Sequence, residues 1–334
     1  MARDLSEPIK KLEFVIQKDD AGSRLDHFLS DRVSWRSRSD LQDRIRTGTV
    51  RLNDRPAKAA QKLRAGDVVT IHVRPDDIPD QDPAAIPVDI VFEDDTMIVV
   101  NKQAGLVVHP TGAHVYDTLM NALWLRDKRA GRVPDLHVVH RLDQDTSGIL
   151  AVARTLESKA LLQEQFESRE PRKSYLALCE GVVARDSDDI DLPIGRDEVA
   201  EIRIKMRTGP GLQPSLTSFE VVERFAAHTL VRAFPHTGRQ HQIRVHLAAI
   251  GHPIVCDPLY GDPRALAVLQ DGAPIDILAR HGLHASTLDI RHPTTHAEQR
   301  FEAPLAADIR AVLIALRSAA RLLKTVDRHA GRWG

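Results

Sequence analysis

The nine residues from His140 to Gly148 crowd two carboxylates, two hydroxyls, an imidazole and a guanidinium into one turn. Leu136, Val138 and Val139 before it, and Ile149 to Ala153 after it, predict two short strands, the second buried on both faces because it hardly alternates. A loop held by two core strands is where catalytic groups commonly stand. Turn formation explains part of this composition, since Asp143 or Asp145 can cap backbone N–H groups and Gly148 supplies a permissive φ. That reading suits Asp145, Thr146 and Ser147, and leaves Asp143 to be accounted for.

Histidine is the other residue type that could do chemistry. His137 with His140, His236 with His241 and His246, and His281 with His284 invite a metal reading, but none sits in a His-Glu-x-x-His frame. His241 and His246 are five apart, off a common helical face. Cys179 and Cys256 are distant from each other and form no Cys-x-x-Cys pair, so neither a thiolate site nor a disulfide framework is expected, and both read as small core residues. No Gly-x-Gly-x-x-Gly loop or P-loop string occurs, and no cofactor and no metal are expected.

These residues need elements to hold them, and 334 residues with 42% hydrophobic content suffice for two domains, one small and one large. No apolar run could span a bilayer and the first residues form no signal region, so a soluble, cytosolic protein without a membrane partner is expected. The formal net charge is −1, which by itself argues against a polyanionic partner. The distribution reverses that argument. Between Arg32 and Arg64 ten basic residues face three acids, whereas Asp76 to Asp95 holds eight acids and no Lys or Arg. A concentrated basic surface is what steers RNA.

In chain order, residues 1–11 read as a frayed tail. Leu25, Phe28, Leu29 and Val33 share one face of a helix. Ser39 and Gln42 suggest a capping box for a second helix carrying Leu41 and Ile45, which Gly48 ends. Val50 to Leu52, a turn at Asn53 and Asp54, and the alternating Val69 to Val73 complete a small α/β module over 12–75. The stretch 76–87, acidic and rich in proline, reads as a linker kept off RNA by its charge. A hairpin follows, from Ile90 to Phe92 and Met97 to Val100. Helices are predicted after Thr118, over 156–169 and over roughly 307–325. Lys173 to Gly181 reads as a strand, and Arg203 to Gly211 as a basic, glycine-rich loop that could touch RNA.

The string His-Arg-Leu-Asp-x-x-Thr-Ser-Gly from His140 resembles the signature of the RluA-type pseudouridine synthases, in which the Asp is the nucleophile. Further stretches are similar to that family. Asn101 to Pro110 resembles its first motif, with Gln103 where proline is usual, and Lys173-Ser-Tyr175 resembles the strand whose Tyr packs on the target uracil. Thr237 to His246 matches its Thr-Gly-Arg-x-His-Gln-Ile-Arg-x-His motif. Gly251 to Gly261 continues the match, with Cys256 where glycine is common. His281 to Ser286 and Phe301 to Leu305 resemble its closing strands. Residues 36–53 and 63–69 resemble the S-four RNA-binding domain, which presents Arg and Lys from two short helices.

The resemblance implies an α+β chain, in which the small RNA-binding domain precedes a catalytic domain over 88–325. That domain would be a mixed, mainly antiparallel sheet flanked by helices, with a tail at 326–334. It implies a cofactor-independent isomerase converting uridine to pseudouridine, most similar to the enzymes that modify large-subunit ribosomal RNA, with RNA as partner and no need for more than a monomer. Asp143 would be the nucleophile, and must be ionised to attack. Burial alone would raise its pKa, so a nearby cation is required. By resemblance that cation is Arg239, and Tyr175 packs on the uracil. Arg141 is placed to fill the stack vacated by a flipped uridine. Arg36, Arg38, Arg44, Arg46 and Arg51 would meet the RNA backbone. A rival reading, an RNA-binding factor with a dead catalytic domain, predicts loss of Asp143, Arg239 or Tyr175, and all three are present.

Overall fold

The computed structural model describes residues 4–33, 36–78, 82–111, 114–200, 202, 204–270, 273–318 and 322–327. The chain divides into two compact units. The first takes in the chain up to residue 87 together with 109–133, a segment the sequence reading kept with the catalytic domain. The second comprises 88–108 and 134–330. Among the described residues no helix is long and apolar enough to cross a membrane.

In the first unit, β1 (Lys11–Val15), β2 (Val50–Leu52), β3 (Arg55–Pro56) and β4 (Val68–His72) form an antiparallel sheet in the order β1-β4-β2-β3. Two helices, α1 (Leu25–Arg32) and α2 (Arg38–Arg46), share its core, where Leu25, Leu29 and Val50 are fully buried. Each such side chain contributes about 1.5–3 kcal/mol relative to exposure. Asn53 and Asp54 turn the chain with φ of 50° and 60°, the left-handed values that Asn and Asp tolerate best. Helix α2 is capped by Ser37, whose Oγ accepts the Asp40 N–H at 3.2 Å. The cap expected at Ser39 therefore lies one residue inside the helix, because a hydroxyl at Ser37 already satisfies the free N–H.

Residues 4–10 are not a frayed tail. Helix α3 (Leu119–Arg129) belongs to the same unit, and its Asn121 Nδ2 donates to Leu5 O at 2.8 Å while Tyr116 Oη donates to Ser6 O at 2.6 Å. The acidic stretch also has structural work in this unit. Asp77 accepts two hydrogen bonds from Arg44, at 2.6 and 2.8 Å, and another from Arg36.

The second unit runs through β5 (Asp89–Glu93), β6 (Met97–Lys102), β7 (His137–Val138), β8 (Ser147–Ala153), α4 (Leu156–Glu167), β9 (Arg172–Glu180) and β10 (Ser187–Asp191). It continues through a small hairpin, β11 (Ile194–Arg196) and β12 (Met206–Thr208), then β13 (Leu216–Arg224), β14 (His228–Pro235) and α5 (Gln242–Ala249). The last elements are β15 (Arg264–Gln270), β16 (Ala273–Leu278), β17 (Leu283–Arg291), β18 (Glu298–Glu302), α6 (Ala307–Arg317) and β19 (Leu323–Asp327). A ten-stranded sheet, β10-β13-β14-β9-β17-β8-β6-β5 with β18 also on β17 and β7 also on β8, forms the backbone of this unit. Its strands pair antiparallel except β17 with β8, so the sheet is mixed and mainly antiparallel.

Helix α6 stops at Arg317, and Leu323–Asp327 pairs with β15 where sequence predicted helix to residue 325. The β-branched Thr325 and Val326 favour that extended run. Hairpin β11–β12 lies where a loop was expected, while Arg203 falls outside the described residues.

Strand β8 is buried throughout, as its lack of alternation predicts. Gly148 stands at its start with φ of 112°, and a Cβ there would lie 2.0 Å from the Ala285 carbonyl oxygen on β17. The close parallel approach therefore requires glycine. Gly148→Ala combines a left-handed strain with a backbone clash and should destabilise the second unit by on the order of 3–5 kcal/mol. Thermal melting checks this, and a melting temperature no different from wild type would mean the two strands separate at little cost.

Candidate active site

The turn at Asp143 is fixed from beneath by a buried lysine. Lys102, at the end of β6, is 1% exposed, and its Nζ donates to the carbonyls of Gln103, Leu106 and Gln144 at 2.8–2.9 Å. Three carbonyls suit the three protons of an ammonium. Burial presses its pKa down to about 7, against the pull of Asp145 and Asp143. The next residues are held by hydroxyl and imidazole pairs, Thr146 Oγ1 with His281 Nε2 at 2.8 Å and Ser147 Oγ with His284 Nδ1 at 2.9 Å. Arg280 donates to the Asp145 carbonyl at 2.9 Å. His140 accepts the Ala151 N–H at 2.9 Å and stacks on Phe166, and burial, aided by Lys173, pushes its pKa to about 3. Neutral His140 is thus a loop hydrogen-bonder, and His281 and His284 likewise serve the turn.

Asp143 emerges from this frame with its side chain 21% exposed, at the floor of a cleft of about 1660 Å³. Its Oδ2 accepts from Arg244 at 2.9 Å. The same guanidinium makes a two-point contact with Asp257, at 2.7 and 2.8 Å, and lies over the Tyr260 ring. Asp257 is fully buried. Burial works to raise the Asp143 pKa, but His241 when protonated, and Arg244 by charge and hydrogen bond, hold it below its ordinary value. Asp143 is accordingly ionised at neutral pH.

His241 faces Asp143 Oδ2 from 4.0 Å, with Nδ1 on Tyr260 Oη at 2.8 Å. That hydroxyl accepts the Met206 N–H at 2.8 Å, so its own proton is free for Nδ1. Burial lowers the His241 pKa to about 4, against the Asp143 charge.

The cation beside Asp143 is Arg244, not Arg239. Arg239 lies in the loop before α5, its Nε reaches the Pro214 carbonyl at 3.4 Å, and its N–H donates to Gln242 Oε1 at 3.0 Å. Arg244 is near the start of α5, which carries it to the nucleophile loop. Both arginines belong to one ten-residue motif, and a bare spacing does not say which faces the carboxylate. The signal that could have found Arg244 is Asp257, an acid in an otherwise apolar run, which demands a buried cation.

Tyr175, 9% exposed, lines the same cleft, and burial and then the Asp143 charge raise its pKa, so it stays a neutral phenol. Arg141 lines the cleft and is exposed.

The remaining candidates lie in the first unit and divide by environment. Arg44 is 3% exposed and tied to Asp40 and Asp77, so it is a core ion pair and cannot meet RNA. Arg36 is drawn into the same pair. Arg38 and Arg46 are exposed, beside Asp26 and Asp43, and among the described residues Arg51 makes only a long contact with the Gly48 carbonyl. In the second unit Cys256 has φ of 56°, which explains why glycine is common there.

The RNA pseudouridylate synthase family profile matches residues 96–249, the span holding Asp143, Tyr175 and Arg244. The ribosomal large subunit pseudouridine synthase D of Neisseria meningitidis serogroup B is 38% identical over 323 residues, covering 95% of this chain and 85% of that protein. The protein of that name from Xanthomonas campestris pv. campestris is 37% identical, covering 95% and 96%. Among solved structures, human RNA pseudouridylate synthase domain containing 1 is similar with a TM-score of 0.53 and 27% identity, covering 74% of this chain and 94% of that one. An ionised aspartate on a loop between core strands, a tyrosine beside it and identity along nearly the whole length converge, and the chain belongs to the RNA pseudouridylate synthase family, isomerases that turn uridine into pseudouridine within RNA.

Proposed function

We propose that this enzyme modifies particular uridines of large-subunit ribosomal RNA, with Asp143 as nucleophile on a flipped-out uridine. The observation that carries the reading is the buried Asp143, Arg244 and Asp257 array beneath an open cleft. In the isomerisation the bond from ribose C1′ to uracil N1 breaks and one from C1′ to C5 forms. The C5 hydrogen leaves and N1 gains a proton, so no electrons are exchanged with a carrier. A carboxylate can hold one fragment, at C1′ or at the base, while the other turns. Arg244 keeps that carboxylate charged and fixes its rotamer. Tyr175 offers an aromatic face to the uracil, and its neutral hydroxyl adds no charge beside Asp143. Flipping costs on the order of a few kcal/mol, which Arg141 offsets by stacking in the vacated place.

The first unit serves in this reading as an S-four-like RNA anchor. Of the five arginines expected to meet RNA, Arg38, Arg46 and Arg51 are exposed, while Arg36 and Arg44 hold its fold. Large-subunit RNA is favoured because the two relatives above carry that substrate in their names. The protein acts as a monomer in the cytoplasm.

The test is pseudouridine mapping of ribosomal and transfer RNA from cells lacking the gene, then with wild type or Asp143→Asn restored. Large-subunit sites should vanish in the deletion and return with wild type alone. Loss confined to transfer RNA would refute the substrate, and equal rescue by the variant would refute the nucleophile.

A further inference from the structure

Of the eight Lys and Arg residues that line the cleft, four are already engaged by the protein, and Arg141 stands on the nucleophile loop. Arg244 holds two carboxylates, Arg232 reaches Ser174 Oγ at 3.4 Å, Arg239 reaches a carbonyl, and Arg300 pairs with Glu302 at 2.9 Å. The turn joining α4 to β9 differs. Arg169, Arg172 and Lys173 all line the cleft, and among the described residues none has an ion pair or a side-chain hydrogen bond. The acids of that turn do not neutralise them, because Glu170 is taken by Arg291 and leaves Glu167 as one carboxylate against three cations.

Geometry aims these charges along the cleft wall. Lys173 and Tyr175 are two apart on β9 and so face the same side of the sheet. Lys173 is half-buried with its ammonium 5.9 Å from the Phe166 ring centre, and burial lowers its pKa with no carboxylate to restore it. Arg169 stands at φ of 59°, the left-handed region that a non-glycine residue adopts at a cost. Arg169 and Arg172 are exposed. Three cations in five residues, with one carboxylate, Glu167, beside them, repel one another, and an anion arriving in the cleft relieves that repulsion.

We propose that Arg169, Arg172 and Lys173 form a phosphate rail, gripping the RNA backbone beside the flipped uridine and setting how the strand enters the cleft. The inference rests on the reading of this cleft as the RNA site. Base identity plays no part in it, so the rail governs affinity and register, not the chemical step.

The test uses the full chain and protein-free large-subunit ribosomal RNA, with dissociation constants measured across salt concentration and tritium release from C5-tritiated uridine giving kcat and KM. Replacing all three cations by Gln should weaken binding on the order of 10- to 100-fold near 0.1 M salt and flatten the plot of log affinity against log salt by about 2, since each single-strand phosphate contact contributes about 0.7. At saturating RNA, kcat should stay within about 2-fold of wild type. Arg185→Gln, which removes an exposed charge paired with Asp188 outside the cleft, should leave the slope unchanged. The single variants Arg169→Gln and Arg172→Gln, at exposed positions, each give part of the slope change should the triple variant fold poorly. An unchanged slope and affinity would overturn the rail, as would a fall in kcat at unchanged slope. A wild-type protein that neither binds nor modifies the RNA would instead overturn the reading of the cleft.

Discussion

Asp143→Asn should abolish pseudouridine formation and leave the protein folded. An amide cannot take the place of a carboxylate nucleophile, and removal of such a group costs on the order of 10⁴-fold or more in turnover. The structure separates this loss from any loss of stability. Arg244 keeps two of its three charge-assisted contacts, both to Asp257, so no buried cation is orphaned. The amide oxygen that the substitution introduces can still accept a hydrogen bond from Arg244. The melting temperature should therefore move by no more than about 3 °C, the equivalent of roughly 1 kcal/mol in a domain of this size. Tritium release from C5-tritiated uridine reads the chemistry, and thermal melting reads the fold. Residual turnover on the order of 10⁻² of wild type, against the expected 10⁻⁴, would assign the nucleophile elsewhere.

Arg244→Met should cost both. Here the side chain that is lost serves two carboxylates, and the fully buried Asp257 is left with backbone donors alone, from Leu259 at 2.9 Å and Tyr260 at 3.2 Å. Breaking a buried pair from one side typically costs about 3–5 kcal/mol. The second consequence is a reversed pH response. In the wild type Asp143 titrates below its ordinary range, so its ionised form, and the stabilisation that goes with it, persists above that range and is lost as pH falls through the depressed pKa. Without Arg244 only Arg141 and, when protonated, His241 oppose the desolvation that disfavours ionisation, and the Asp143 pKa rises. The variant's residual kcat should climb with pH across the neutral region where the wild type is flat. Adding Asp257→Asn to Arg244→Met should restore much of the melting temperature and none of the activity. A double variant as unstable as the single one would show that Asp257 is not the source of the cost.

Much of this was legible in the residues, for local reasons. The run from Ile149 to Ala153 hardly alternates and is buried on both faces, and Asn53 with Asp54 makes the expected turn. The nucleophile loop stands out by its polar density, of which turn formation explains Asp145, Thr146 and Ser147, while the resemblance singles out Asp143. What escaped depended on contacts distant in sequence. Arg44 has the same local signature as Arg46, an arginine on a short basic helix, and only Asp77, 33 positions later, makes it structural. Arg239 and Arg244 were indistinguishable for a similar reason, since the acid that decides between them lies 13 residues beyond Arg244. The end of α6 was misread because the helical face continues into a segment that strand β15 captures.

The parallel pairing of β8 with β17 joins Ser147 to His284 and Gly148 to Ala285, residues more than a hundred positions apart. The reactive loop thus ends at a strand whose parallel neighbour follows it only after most of the other elements of the second unit. Arg244 and Asp257 also come late. A chain ending between Asp143 and β17 carries the aspartate but lacks the wall that shapes its turn, and non-local pairings of this kind form slowly. The turn that presents Asp143 is therefore complete only once these distant segments have met.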